Sequence, residues 1–381
     1  MISFPKNQYY GLLSGRFEPQ AQSNKVPDYA YSPLNQSGEL YRPVIDQSWV
    51  QDHAKPVWPD GKPFAVCLTH DVDAVSEINP AQNFRSILHQ LSTFRERSLS
   101  ESIKWIIIHK LRLLKGLVSK ENSFCSFEEW MAMEEKHGAR STFFFAPQTV
   151  DRKHGSDCQY HYDQTIPFEG SRITVAELMT KLDAGGWEVG LHPSWHAHAD
   201  VDEMRAQKIQ VESCLNHEIQ SVRQHFLKYD PLKTASVQAA AGFKYDSTLG
   251  FNDNIGFRRG TSYPYQLTAG DGLTALPLME IPLTLQDGAL LLGDKGLRLD
   301  VDTALEYIKR MIASVKEVGG VLNLSWHPHT RTYPGFWDLY SRTLALLAAE
   351  NPYFGTIAEI GSYWQAHANI DLLNYTKTLQ K

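Results

Sequence analysis

From Pro63 onward, short apolar runs alternate with stretches whose apolar positions recur at helical spacing, and this alternation predicts a parallel α/β sheet. The pattern places strands at about 64–69, 141–146, 187–191, 278–283 and 321–326, with another around Val222. Two helix starts carry capping boxes, Ser126-Phe-Glu-Glu129 and Thr174-Val-Ala-Glu177. A third helix is expected over 302–318, stopped by Gly319 and Gly320. Before Pro63 the pattern is weak and polar, broken by Pro5, Pro19, Pro27, Pro33, Pro43, Pro56 and Pro59. We therefore expect residues 1–60 to form an arm packed on a main domain that occupies 61–381.

Residues 81–120 interrupt this order. They carry Arg85, Arg95, Arg97, Lys104, Lys110, Arg112, Lys115 and Lys120 against Glu96 and Glu101, while Ile103, Ile107, Leu111, Leu114 and Val118 keep helical spacing. The result is an amphipathic basic helix inserted into the main domain. It suits a lid over an anionic polymer, a membrane-surface contact, or a helix that covers the sheet and solvates its cationic face. The last is the ordinary use of such a stripe.

The chain of 381 residues has a formal charge of −6, which argues against nucleic-acid binding through general electrostatics. Cys67, Cys125, Cys158 and Cys214 form no Cys-x-x-Cys pair, so neither a thiolate zinc site nor a disulfide framework is expected. No stretch has the length and apolarity of a membrane span or of a leader, and we expect a cytoplasmic protein.

The chemistry collects at predicted strand ends. The strand over 64–69 runs into His70-Asp71-Val72-Asp73, where alternation would send Asp71 and Asp73 to one side and Val72 to the core. The next such end reads His192-Pro193-Ser194-Trp195-His196-Ala197-His198. Histidines four apart can share one face of a helical turn, so His192 and His196 with Asp73 form a candidate ligand set for a catalytic divalent ion, with zinc favoured. Two further ends read Arg223-Gln224-His225 and His327-Pro328-His329. Buried-looking strands that end together in titratable residues point to the active face of a βα-barrel.

Over roughly residues 63–352 the chain resembles the polysaccharide deacetylases with the NodB homology domain, also called carbohydrate esterase family four. Thr69-His70-Asp71-Val72-Asp73 looks like that family's first motif, His192 to His196 its second, Arg223 its third, Tyr245-Asp246-Ser247 its fourth and Leu324-Ser325-Trp326-His327 its fifth. Val72 separates the two Asp residues and His70 stands where the family has an aromatic, which is similar to the Asp-x-Asp variant of its peptidoglycan-deacetylase-like and amide-hydrolase branches.

The resemblance implies a distorted (β/α) barrel and a metal-dependent hydrolase that removes N-acetyl groups from an amino-sugar polysaccharide or its precursor. It implies Asp71 as general base held by Arg223, and His327 as general acid oriented by Asp246. The loop 256–265 looks like one found in a bacterial subgroup, and Arg258, Arg259 and Trp326 are candidate substrate contacts. His70, His198, His225 and His329 are expected to be structural or supporting. The alternatives are hydrolysis of a non-sugar amide or cyclic imide, and an inactive glycan-binding member of the fold.

Overall fold

The first apolar run becomes strand β1, Ala65–Val72, which is buried along its whole length. A strand covered on both faces reads as a continuous apolar run, and β1 is such a strand. It lies between β2 (Thr142–Phe145) and β11 (Val321–Ser325), parallel to both, with Thr69 opposite Thr142 and Ser325. The computed structural model describes residues 3–18, 32–76, 124–148, 157–292 and 296–380, so the basic insertion at 81–120 lies outside them.

Beyond β2 the sheet continues through β5 (Glu188–Leu191), β6 (Ser221–Val222) and β7 (Tyr245–Asp246), all parallel. It then reaches β9 (Ala275–Glu280) and ends in β8 (Tyr265–Thr268), which pairs antiparallel. At the other edge β10 (Leu285–Gln286) pairs with β11, and β12 (Tyr353–Phe354) branches onto the start of β1. Among the described residues this makes a ten-stranded sheet with β10 and β8 at its ends. The sheet is curled and open, a distorted (β/α) barrel of the deacetylase type. A separate hairpin, β3 (Thr165–Phe168) and β4 (Ser171–Thr174), stands off it.

Helices close the outer face for local reasons. Val301–Val318 starts where the Asp300 carboxylate accepts the Thr303 N–H at 3.0 Å and stops at Gly319, whose φ of 73° suits glycine. It buries Ala304, Ile308, Met311, Val315 and Val318 along one stripe. The Thr174 capping box forms with Glu177, which in turn accepts the Thr174 N–H at 2.6 Å. The Ser126 box does not form: Ser126 takes φ 38°, in the left-handed region, and its side chain caps nothing.

The helix Phe127–Lys136 is instead held through Glu134, whose carboxylate accepts from Trp187 Nε1 at 2.7 Å and the Tyr340 hydroxyl at 2.9 Å. His70 lies beneath this helix with Nε2 at 2.7 Å from Glu134 Oε1 and Nδ1 at 2.7 Å from the Trp326 carbonyl oxygen. Both of its nitrogens face acceptors, so the ring is a structural clamp between helix and sheet.

The first sixty residues contribute buried Tyr10, Leu13, Leu34, Ile45 and Trp58 to the core. Asp46 accepts the Ser262 N–H and hydroxyl, each at 2.6 Å, and burial pushes its carboxyl up to about 7. No helix among the described residues is long and apolar enough to cross a membrane.

Candidate metal centre and catalytic residues

The C-terminal ends of β1, β5, β6 and β11 bring the chemistry together. Asp71 lies within β1 and Asp73 just beyond it, with Val72 fully buried between them. His192 follows β5, and its ring Nδ1 sits 2.7 Å from the Arg223 carbonyl oxygen, which can only accept. Nδ1 therefore carries a proton, and Nε2, 3.3 Å from Asp73 Oδ1, is the nitrogen that would bind an ion shared with that carboxylate. His225 follows β6 and places its Nε2 3.8 Å from the same oxygen. The next two residues, Phe226 and Leu227, have φ 56° and 51°. Such left-handed backbone in non-glycine residues is costly and recurs where a turn must aim a side chain.

Donor atoms of Asp73, His192 and His225 all lie within 4.8 Å of one another, and this is the triad able to hold a metal ion. The set fits a divalent ion: two imidazoles and a carboxylate, with one imidazole tautomer fixed by a backbone acceptor. Burial works to raise the Asp73 carboxyl, but its neighbours, His192 and then His327, outweigh it and hold it well below the usual range. Burial pushes the His225 imidazole down to about 4, so near pH 7 the ring is neutral and one of its nitrogens offers a lone pair.

His196, the expected partner of His192, is not in this cluster. Its side chain is exposed, at the start of a short turn, Ala197–Ala199. Pro193 explains the difference, because a proline disfavours helical backbone at the residue before it, and His192 and His196 never share a helical turn. His198 is held locally, Nδ1 to the Trp195 carbonyl at 2.8 Å.

Arg223 is fully buried and its guanidinium is fully engaged. Nη1 donates to Thr69 Oγ1 at 2.6 Å and to Asp71 Oδ1 at 3.0 Å, and Nε and Nη2 donate to the Ser247 carbonyl and hydroxyl at 2.8 and 2.7 Å. Burial raises the Asp71 carboxyl, yet Arg223, aided by His192 and His327, holds it below its ordinary value. Asp71 is an ionised carboxylate in fixed orientation.

His327 faces it from β11, with Nε2 3.9 Å from Asp71 Oδ2 and 3.7 Å from Asp73 Oδ2. Its other nitrogen, Nδ1, lies 2.7 Å from Asp287 Oδ1, and its backbone N–H donates to Asp287 Oδ2 at 3.0 Å. Burial alone would lower this imidazole; Asp287, then Asp73 and Asp71, lift it to about 10.

Asp287 thus occupies the position expected of Asp246. Asp246 is buried elsewhere, accepting from Thr248 and facing Glu280, and burial raises both carboxyls of that pair. Asp287 was hidden because β10 before it is two residues long and leaves no periodicity.

The candidate substrate contacts are also reassigned. Arg258 and Arg259 are buried and clamp Glu18, Nη2 to Oε2 at 2.8 Å and Nε to Oε1 at 3.0 Å, and so tie down the N-terminal segment. Trp326 is 1 % exposed and packs in the core against Tyr340. The cavity beside the triad, about 240 Å³, is lined instead by Gln148, Cys158, His192, Glu203, Gln207 and His225 among others.

No family model matches the sequence, and no curated protein does. Solved structures do match. A protein assigned as a polysaccharide deacetylase from Mycobacterium smegmatis aligns with TM-score 0.53 and 20 % identity over 84 % of this chain and 96 % of its own. Puue allantoinase aligns with TM-score 0.53 and 15 % identity over 84 % and 95 %. A protein assigned as a polysaccharide deacetylase from Pseudomonas aeruginosa PAO1 aligns with TM-score 0.52 and 13 % identity over 85 % and 98 %. The chain has the fold that these three proteins share, and it carries an Asp–His–His site able to hold a metal ion at the C-terminal edge of its sheet.

Proposed function

We propose that this protein is a metal-dependent hydrolase that removes N-acetyl groups from an amino-sugar polysaccharide or its precursor. One observation carries the reading: Asp71, paired with Arg223, and His327, held by Asp287, face each other at 3.9 Å, next to the Asp73–His192–His225 triad. Amide hydrolysis needs this pair, because water must lose a proton as it attacks and the departing amine must gain one.

Zinc suits the two imidazoles and the carboxylate. When bound, a divalent ion supplies Lewis acidity to the amide carbonyl. Asp71 takes the proton from the attacking water, and Arg223 keeps that carboxylate ionised and aimed. His327 Nε2 hands its proton to the leaving nitrogen, while Asp287 fixes the ring through Nδ1 and stabilises its charged form. In the cytoplasm, where we place the protein, a glycan precursor is the accessible substrate.

Hydrolysis of a cyclic or other non-sugar amide is the second reading. It is favoured by the Asp-x-Asp spacing and by the equal TM-score of the allantoinase. The test is a substrate panel with metal-loaded protein, comparing acetate release from N-acetylated saccharides and their precursors with ring opening of cyclic amides. Acetate release abolished by a chelator supports the first reading. Ring opening without acetate release supports the second, and turnover of neither class contradicts both.

A further inference from the structure

Cys158 has no role in the reaction as derived, yet its thiol lies at the metal triad. Sγ stands 3.7 Å from Asp73 Oδ1 and 3.7 Å from His225 Nε2, and the residue is 7 % exposed. Its position is built from both sides. Asp157 accepts the Trp195 N–H at 2.8 Å, which ties the segment to the loop that follows His192. The Tyr160 hydroxyl donates to the Val72 carbonyl at 3.0 Å and accepts the Ala146 N–H at 2.7 Å, which ties it to the end of β1 immediately before Asp73. The thiol also lines the cavity that opens beside His192 and His225.

We propose that Cys158 Sγ is a fourth protein ligand of the resting ion held by Asp73, His192 and His225, the substrate carbonyl adding as a fifth during reaction, and that it selects a borderline-soft ion such as zinc or cobalt over magnesium or manganese. The inference rests on the reading of that triad as a metal site. Zinc bonds of about 2.3 Å to sulfur and about 2.0–2.1 Å to nitrogen and oxygen, in tetrahedral array, separate sulfur from either by about 3.5 Å and nitrogen from oxygen by about 3.3 Å. The sulfur edges here are 3.7 and 3.7 Å, and the Asp73–His192 edge is 3.3 Å. The Asp73–His225 edge is 3.8 Å, so each of these four of the tetrahedron's six edges needs at most a few tenths of an ångström of closure. On binding, the thiol loses its proton to solvent and the thiolate bonds to the ion. Soft thiolate donors favour zinc and cobalt, whereas magnesium and manganese prefer oxygen donors.

The competing role for Cys158 is a weak S–H donor to Asp73 that never touches the ion. Cobalt(II) separates the two, since it reports its ligands by absorption. The full chain, stripped of metal and titrated with cobalt(II) alone, should bind one equivalent and develop a near-ultraviolet sulfur-to-cobalt charge-transfer band alongside the visible cobalt bands. Cys158→Ser and Cys158→Ala should keep the visible bands, lose the charge-transfer band, and bind zinc at least about tenfold more weakly, with manganese affinity unchanged. Stoichiometric cobalt without that band in the native protein, or the band persisting in either variant, overturns the inference and leaves the triad standing. Failure of the native protein to bind cobalt at all overturns the metal reading and the inference together.

Discussion

The His327 ring is held at Nδ1 by Asp287, 2.7 Å away, and the same carboxylate accepts the His327 backbone N–H at 3.0 Å. Two bonds from one buried carboxylate fix both the orientation and the charge of the imidazole. Burial pulls its pKa down and Asp287 more than reverses that, lifting it to about 10.

Asp287→Asn removes the negative charge and keeps the shape. The His327 pKa should fall, the imidazolium should be lost at lower pH, and the alkaline limb of the pH–rate profile should move to lower pH. His327→Ala should lower kcat by ~10²–10⁴-fold. An alkaline limb unmoved in Asp287→Asn would remove Asp287 from this role.

Arg223 is the main compensation of a buried carboxylate, aided by His192 and His327. Arg223→Met should raise the Asp71 pKa and shift the acid limb of the profile upward. It should also destabilise the fold by ~3–5 kcal/mol, the cost of leaving a buried charge without its partner. Chemical denaturation and a pH–rate profile on the same variant check both effects.

The ligand set is tested by a contrast between two histidines. His225→Ala should weaken zinc binding by at least ~10–100-fold, a loss that even an outer partner of a metal ligand can cause. His196→Ala, an exposed position, should leave it unchanged. Calorimetric titration of zinc into the stripped variants decides, and the reverse ranking would restore the helical-turn reading of His192 and His196.

Glu18 gives a stability prediction far from the chemistry. Burial raises its carboxyl, but Arg258 and Arg259 outweigh burial and lower it to about 2. A carboxylate depressed on folding adds stability above its unfolded pKa of about 4.3, and that stability drains away as pH falls toward the folded value. The stability lost between about pH 5 and about pH 2 should therefore be smaller in Glu18→Gln than in the native protein, and the variant should be less stable near neutrality. Equal acid sensitivity in the two proteins would contradict the clamp.

The parts of this site that could be read in advance are those written locally. The run from Ala65 to Asp73 announces a covered strand that ends in two carboxylates, and His192, Arg223 and His327 each follow an apolar strand. Pro193 was a local signal too, since it forbids the helical turn that would have joined His192 to His196. His225 left no such mark: the turn that aims it depends on positive φ at Phe226 and Leu227, which neither residue type suggests. Asp287 reaches His327 across forty residues, and Arg258 reaches Glu18 across 240. Contacts of that range are set by tertiary packing, and periodicity carries no trace of them. Strands as short as Ser221–Val222 and Tyr245–Asp246 are likewise paired by their neighbours more than by their own pattern.

Asp71 is the residue on which base and ligand roles divide, because Asp73 two positions on belongs to the triad and Asp71 does not. The decisive measurement is acetate release by Asp71→Asn with its metal content determined on the same sample. The account predicts zinc at the native stoichiometry and acetate release reduced by ~10²-fold or more. Native rates of acetate release from that variant would contradict it.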